Sequence, residues 1–154
     1  ARRNTDLCGR MRPAVATYEQ YLLFQRYLKG RHADGEMARM GYGDYRPMIE
    51  ETAAPTRMAE FRDPAGRLVG ACLLDLLDDG SSAVYSFFEP DEPERSLGSY
   101  MVHWLIEQTH ARSADGSGYV YLGYWIADAR KMAYKTRFRP LQALGANGWH
   151  DLQF

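Results

Sequence analysis

Cysteine is scarce in this chain of 154 residues: Cys8 and Cys72 are the whole supply. Two thiols so far apart build no disulfide framework and fit a reducing compartment. Long apolar runs are missing as well. No stretch reaches the ~20 residues that a bilayer-crossing helix requires, and no basic leader with an apolar core opens the chain. Both absences point to a cytoplasmic protein. Histidine is sparse and scattered, with His103 and His110 seven apart on a polar helix side and His32 and His150 in loops. Helical metal pairs stand four apart, so no metal is assigned. A Gly-rich nucleotide loop and a Gly-x-Ser-x-Gly elbow are absent, which removes kinase and serine-hydrolase chemistry. Nor does the chain begin with methionine: it opens Ala1-Arg2-Arg3-Asn4, the mark of a piece of something longer.

What is present suits one globular domain with a real core. Apolar content of 45% and charged content of 25% are ordinary. Eleven tyrosines are not, and they draw attention to two strand-like segments around 85 and 119–124. Net charge is −1, but its distribution is uneven. Residues 1–31 carry a local +5, residues 32–95 a local −8, and residues 128–139 a local +4. Two basic segments brought together make a patch that a phosphate backbone can use; the alternative is a solvated helix face.

Periodicity gives the element order. Thr17-Tyr18-Glu19-Gln20 has the form of a capping box, followed by the apolar face Tyr21, Leu22, Phe24 and Leu28, with Gly30 as a stop. A second helix is expected from Asp44 to Glu51, tolerating Pro47 in its first turn. Residues 56–62 and 67–77 read as a β-hairpin around Asp63-Pro64-Ala65-Gly66. A turn at Asp78-Asp79-Gly80 leads to a strand over 82–89. Leu97 to about Arg112 is the best helix, with Leu97, Tyr100, Met101, Trp104, Leu105 and Gln108 on one face. Residues 119–126 read as a central strand covered on both faces. Another helix is expected from Asp128 or Ala129 to about Phe138, ended by Pro140, before a last turn and strand holding Gly145, Gly148 and Trp149. Met37, Met40, Met48, Met58, Met101 and Met132 are read as core filling.

A strand, a turn carrying Arg95-Ser96-Leu97-Gly98 and a long helix resemble the acetyltransferase (GNAT) fold, whose helix start holds the pyrophosphate of coenzyme A. That resemblance implies an α+β domain with a mixed, mostly antiparallel sheet, flanking helices and a splayed central parallel strand pair. Arg95 and Gly98 fit the turn, whereas Tyr100 stands where a small residue is expected, which disfavours coenzyme A. Three strings are more specific: residues 82–90 with 95–98, residues 119–126 (YVYLGYWI) and residues 130–140 (RKMAYKTRFRP). In order and spacing they resemble the C-terminal region of the aminoacyl-tRNA–protein transferases over essentially the whole chain. Pro140-Leu141 with Gly148-Trp149 looks like the bacterial branch. In that family a cysteine-containing region precedes Arg2-Arg3-Asn4; it is absent here, and residues 1–154 are taken as a single domain.

The resemblance implies transfer of an amino acid, leucine in the bacterial branch, from aminoacyl-tRNA to the α-amine of proteins beginning with Asp or Glu. Such tagging directs proteins to N-degron degradation. No cofactor is expected beyond aminoacyl-tRNA as co-substrate. The reaction is aminolysis of an ester, so positioning and amine deprotonation dominate. By the fold analogy the splayed strands are residues 85–88 and 121–124. They offer Tyr85, Ser86, Tyr121 and Tyr124 as polar groups, with backbone N–H groups as alternative oxyanion donors. Alternation along a strand keeps all four side chains from facing one pocket, and core tyrosines are the bland alternative. An acidic N-terminal side chain calls for a planar cation, for which Arg3, Arg95 and Arg130 are candidates, with Asn4 and Ser96 beside them. Lys131, Tyr134, Lys135, Arg137 and Arg139 are candidates for the tRNA acceptor end, Lys131 and Lys135 sharing one helix face. Two other readings stay open: an N-acetyltransferase using acetyl-coenzyme A, and a non-catalytic domain that binds tRNA or a protein N-terminus.

Overall fold

Thr17 and Gln20 start the first helix as their spacing predicts. The Thr17 N–H donates to Gln20 Oε1 (3.1 Å), and the Gln20 N–H donates to Thr17 Oγ1 (3.2 Å). The computed structural model describes residues 2–31 and 35–152; His32 and the side chains of Arg2 and Arg130 lie outside the described residues. Two compact units divide the chain, Ala1–Tyr121 and Leu122–Phe154.

In the first unit, strand β1 is Cys8–Pro13, helix α1 Tyr18–Arg31 and helix α2 Tyr42–Glu50. Strands β2 (Thr56–Arg62), β3 (Leu68–Leu77) and β4 (Gly80–Phe88) follow, then helix α3 (Leu97–Arg112) and strand β5 (Tyr119–Tyr121). The sheet order is β1-β2-β3-β4-β5, antiparallel throughout except for the parallel pair β4–β5. α1 and α2 cover one face, where Leu23, Phe24, Leu28, Tyr45 and Ile49 meet Met58, Leu73 and Phe87. α3 covers the other, where Leu97, Met101 and Leu105 meet Phe61, Val69 and Leu74. Two-sided cover explains why β3 is apolar almost without alternation.

The expected hairpin forms, with the Asp63 carboxylate accepting from the N–H groups of Ala65 and Arg67 (both 3.0 Å). α3 begins and ends where its periodicity places it. On the apolar face of α1 Leu23 is buried with Tyr21, Phe24 and Leu28, while Leu22 points to solvent. α2 begins two residues early because Asp44 serves as its third residue, accepting from the Gly41 N–H (3.0 Å), and this puts Pro47 inside the helix. Strand β1 has no counterpart in the sequence reading. Its Cys-Gly-Arg-Met-Arg-Pro run lacks an apolar face, yet it pairs with β2 along its whole length. Gly9 permits this: a Cβ there would lie 2.6 Å from Trp104 Nε1, so the indole of α3 lies against bare backbone. Residues 122–126 add no strand, so the parallel pair lies at the sheet edge rather than its centre, and Tyr119 is exposed. Five of the tyrosines, Tyr18, Tyr21, Tyr27, Tyr42 and Tyr45, belong to α1 and α2.

The second unit holds a 3-10 helix, Arg130–Arg137, and the hairpin of β6 (Gln142–Gly145) and β7 (Gly148–Asp151). His150 lies on β7, not in a loop.

Candidate functional site

Strand β4 departs from regularity at one residue. Leu73 faces Tyr85 and Leu74 faces Ala83, so Val84 is an extra residue with no partner on β3. A bulge of this kind bends the strand, interrupts the ladder and re-aims neighbouring groups, which is why bulges gather at functional sites. Parallel pairing to β5 covers only Gly80, Ser81 and Ser82. Along residues 83–88 the same side of β4 pairs with no strand among the described residues, and backbone N–H and C=O groups line that edge. Gly80 makes the approach of β5 possible, since a Cβ there would fall 2.0 Å from the Tyr119 carbonyl oxygen.

Tyr85 and Ser86 occupy opposite faces, as alternation requires. The Tyr85 ring packs edge-on to Phe24 (5.9 Å) on the α1 side, and burial pushes its hydroxyl up to about 12. It stays protonated at neutral pH, with a proton it can donate. Ser86 donates to Cys72 Sγ (3.2 Å) in the layer under α3. Burial raises the Cys72 thiol to about 11, so it is an inert core group. Ser86→Ala should therefore lower stability by less than about 1 kcal/mol in urea denaturation. A loss several times larger would mean that Ser86 holds more of this layer than its one bond to Cys72. Tyr121 donates to Asp79 Oδ2 (2.6 Å), and that bond holds its hydroxyl up at about 12. The bond ties the end of β5 to the β3–β4 turn.

The turn before α3 is clamped to the chain's start. Arg95 grips Asp6 through both terminal nitrogens (3.2 and 2.8 Å) and Glu92 through Nε (2.8 Å). Asn4 donates to the Arg95 carbonyl (2.9 Å) and Arg3 to the Glu94 carbonyl (2.8 Å). The Arg95 guanidinium holds the Asp6 carboxyl below its usual range. So engaged, Arg95 and buried Asn4 act as positioning residues, and Arg3 is the exposed cation at this place. Ser96 caps α3 in the left-handed region (φ 50°, ψ 47°), a conformation that strains a residue with a Cβ by about 1–2 kcal/mol.

In the second unit Lys135 donates to the Tyr124 carbonyl (2.6 Å) and lies 5.7 Å from the centre of that exposed ring. Partial burial lowers the Lys135 ammonium from its ordinary value. Tyr134 meets Phe138 edge-on, and Arg139 donates to the carbonyls of Thr136 (2.6 Å) and Phe138 (2.7 Å). Lys131 and Arg137 are exposed, and Arg130 has no described side chain. A 3-10 helix repeats every three residues, so Lys131 shares its face with Tyr134, not with Lys135 as an α-helix would have it. Sequence reasoning missed Val84, Gly80 and Asp79. Asp-Asp-Gly signalled the turn, but the bulge and the close approach have no one-dimensional signature.

A mixed sheet between α1/α2 and α3, with a bulged β4 leading through a tight turn into α3, defines a GNAT-type acyltransferase fold. Two solved structures share it: a putative acyl-CoA N-acyltransferase from Klebsiella pneumoniae (TM-score 0.57, 15% identity, 90% of this chain and 86% of that one), and the ribosomal-protein-S18-alanine N-acetyltransferase from Escherichia coli (TM-score 0.58, 12% identity, 94% and 89%). Within that class the chain belongs to the arginine-tRNA-protein transferase family, matching the model of its C terminus over residues 19–145. It is 54% identical over 140 residues to the aspartate/glutamate leucyltransferase of Granulibacter bethesdensis, covering 91% of this chain and 51% of that protein. It is 56% identical over 147 residues to that of Parvibaculum lavamentivorans, covering 96% and 60%. The chain thus spans about half to three-fifths of the length of these relatives.

Proposed function

We propose that this chain forms the ester-aminolysis portion of an aspartate/glutamate leucyltransferase, acting on leucyl-tRNA and on proteins that begin with Asp or Glu. The observation that carries this reading is the bulged edge of β4 beyond Ser82, within a family whose members move amino acids from tRNA to protein. The neutral α-amine attacks the ester carbonyl, the C–N bond forms, the C–O bond to the terminal ribose breaks, and the amine's proton ends on the ribose oxygen. Backbone N–H groups along residues 83–88 suit the developing oxyanion, because fixed donors need no reorganisation as charge appears. The Tyr85 hydroxyl is the side chain retained for orienting substrate; Ser86 and Tyr121 serve the scaffold. No cofactor takes part beyond aminoacyl-tRNA. The setting is the cytoplasm, and the product is a protein marked for N-degron degradation.

Arg3 is the cation proposed to read the acidic side chain. Arg3→Ala should raise KM about tenfold for Asp-starting peptides and leave Ala-starting peptides unchanged, the loss of one charge-assisted contact; equal losses for both would remove it from that role. Lys131, exposed beside Tyr134, is proposed to meet tRNA phosphate. Lys131→Ala should flatten the log–log salt dependence of tRNA binding by about 0.7–0.9, as one lost phosphate contact does. An unchanged slope would make it a solvated cation.

The deciding experiment runs radiolabelled leucyl-, arginyl- and phenylalanyl-tRNA in parallel against Asp-, Glu- and Ala-starting peptides. Leucine on the acidic peptides is the expected result. Label on none of them overturns the proposal for this chain, and sub-millimolar calorimetric binding of acetyl-coenzyme A without leucyl-tRNA binding would replace it.

A further inference from the structure

On the α1 side of the sheet edge, Cys8, Arg10, Arg12, Glu60 and Arg62 line one concavity. Arg10 and Arg12 alternate onto the same face of β1 and are exposed, roughly 6.8 Å apart along the strand. Neither has a carboxylate partner among the described residues. The floor offers them none. Glu60 spends one oxygen on Gln20 Nε2 (2.9 Å) and the other on Arg62 Nη2 (3.1 Å), and Arg62 also grips Glu19 through both terminal nitrogens (3.0 and 2.8 Å). Two guanidinium groups held side by side without counter-charge repel one another. Such a pair on an otherwise acid-balanced surface is matched by a ligand that brings several negative charges in a row.

We infer that Arg10 and Arg12 on β1 form a phosphate-backbone contact for the tRNA, a site separate from the bulged edge of β4 and resting on the transferase reading above. An RNA strand fits better than an acidic peptide N-terminus. The two arginines sit on an open edge strand whose outer backbone N–H groups also suit phosphate, and β1 lies three strands from β4, so the site grips the body of a long ligand, not its reacting end. Contacts of this kind position a nucleic acid and carry no sequence information.

Cys8 supplies a built-in reporter, since it is exposed in the same concavity and Cys72 is buried. The test follows alkylation of Cys8 by iodoacetamide, and tRNA affinity across a salt series, in the full chain, its Arg10→Ala/Arg12→Ala variant and its Arg10→Lys/Arg12→Lys variant. Saturating tRNA should slow Cys8 alkylation at least fivefold. The alanine pair should lose that protection and flatten the salt slope by about 1.5, two phosphate contacts' worth, while the lysine pair keeps most of the slope. If tRNA binds yet Cys8 alkylates unhindered and the alanine pair keeps its slope, this site is overturned and the transferase reading stands. If an Asp-starting peptide protects Cys8 and tRNA does not, the site belongs to the acceptor instead. If no tRNA binds even at low salt, both readings fall together.

Discussion

Gly80→Ala should be among the most damaging single-methyl changes this chain can suffer. The added Cβ would fall 2.0 Å from the Tyr119 carbonyl oxygen and 2.8 Å from its carbon, and both neighbours are backbone that no rotamer change can move. Gly80 also closes the β3–β4 hairpin opposite Leu77, so β4 cannot easily retreat. Relief comes only by pushing β5 away, which breaks the Gly80, Ser81 and Ser82 pairings and pulls the Tyr121 hydroxyl from Asp79. Overpacking against fixed neighbours destabilises by about 2–3 kcal/mol. Urea denaturation should show that loss, and hydrogen exchange should show lost protection at the Tyr119 amide, which donates to the Asp79 carbonyl (3.0 Å). Tyr121→Phe, which removes the tie but not the space, should lose only about 1 kcal/mol. A Gly80→Ala midpoint within error of the parent would mean that β5 is not held where the pairing has it.

What the sequence disclosed and what it concealed divide along a physical line. Signals that act over three or four residues were legible: the Thr17–Gln20 capping box, the Asp63 turn and the full extent of α3. The candidate site depended on distant partners. Tyr85 and Ser86 were singled out correctly as neighbours on a strand, yet their environments are set by Phe24 and Cys72, and no local pattern says which hydroxyl is committed to the core. Arg95 looked like a ligand-binding cation because its counter-ion, Asp6, is remote in sequence. Residues 119–126 were apolar enough for a central strand, but pairing stops at Tyr121 and leaves Tyr124 and Ile126 exposed. β1 was hidden for the opposite reason. Its arginines break every apolar pattern, and only pairing with β2 makes it a strand.

Gln20→Leu should produce the second large loss, through a network that joins helix start, core and cationic edge. Buried Gln20 uses both ends of its amide. Nε2 donates to Glu60 Oε1 (2.9 Å), while Oε1 accepts from the Thr17 N–H (3.1 Å) and the Tyr45 hydroxyl (3.3 Å). Leucine fills much the same volume, so the loss is polar, not a cavity. It leaves buried Glu60 leaning on Arg62 alone and strands the Tyr45 hydroxyl in the aromatic layer of α1 and α2, an expected loss of about 3 kcal/mol. Tyr45→Phe removes one donor and orphans nothing charged, so about 1 kcal/mol is expected. The double variant Gln20→Leu/Glu60→Leu separates this account from a simple packing one. With the carboxylate gone no buried charge is left wanting the amide's hydrogen bond, and Arg62 keeps Glu19, so the combined loss should fall short of the sum of the two single losses by at least about 1 kcal/mol. Additive losses in urea denaturation would show instead that Gln20 and Glu60 stabilise the sheet edge independently. In that case the floor beneath Arg10 and Arg12 would lack the internal pairing that leaves those two arginines free for an anion.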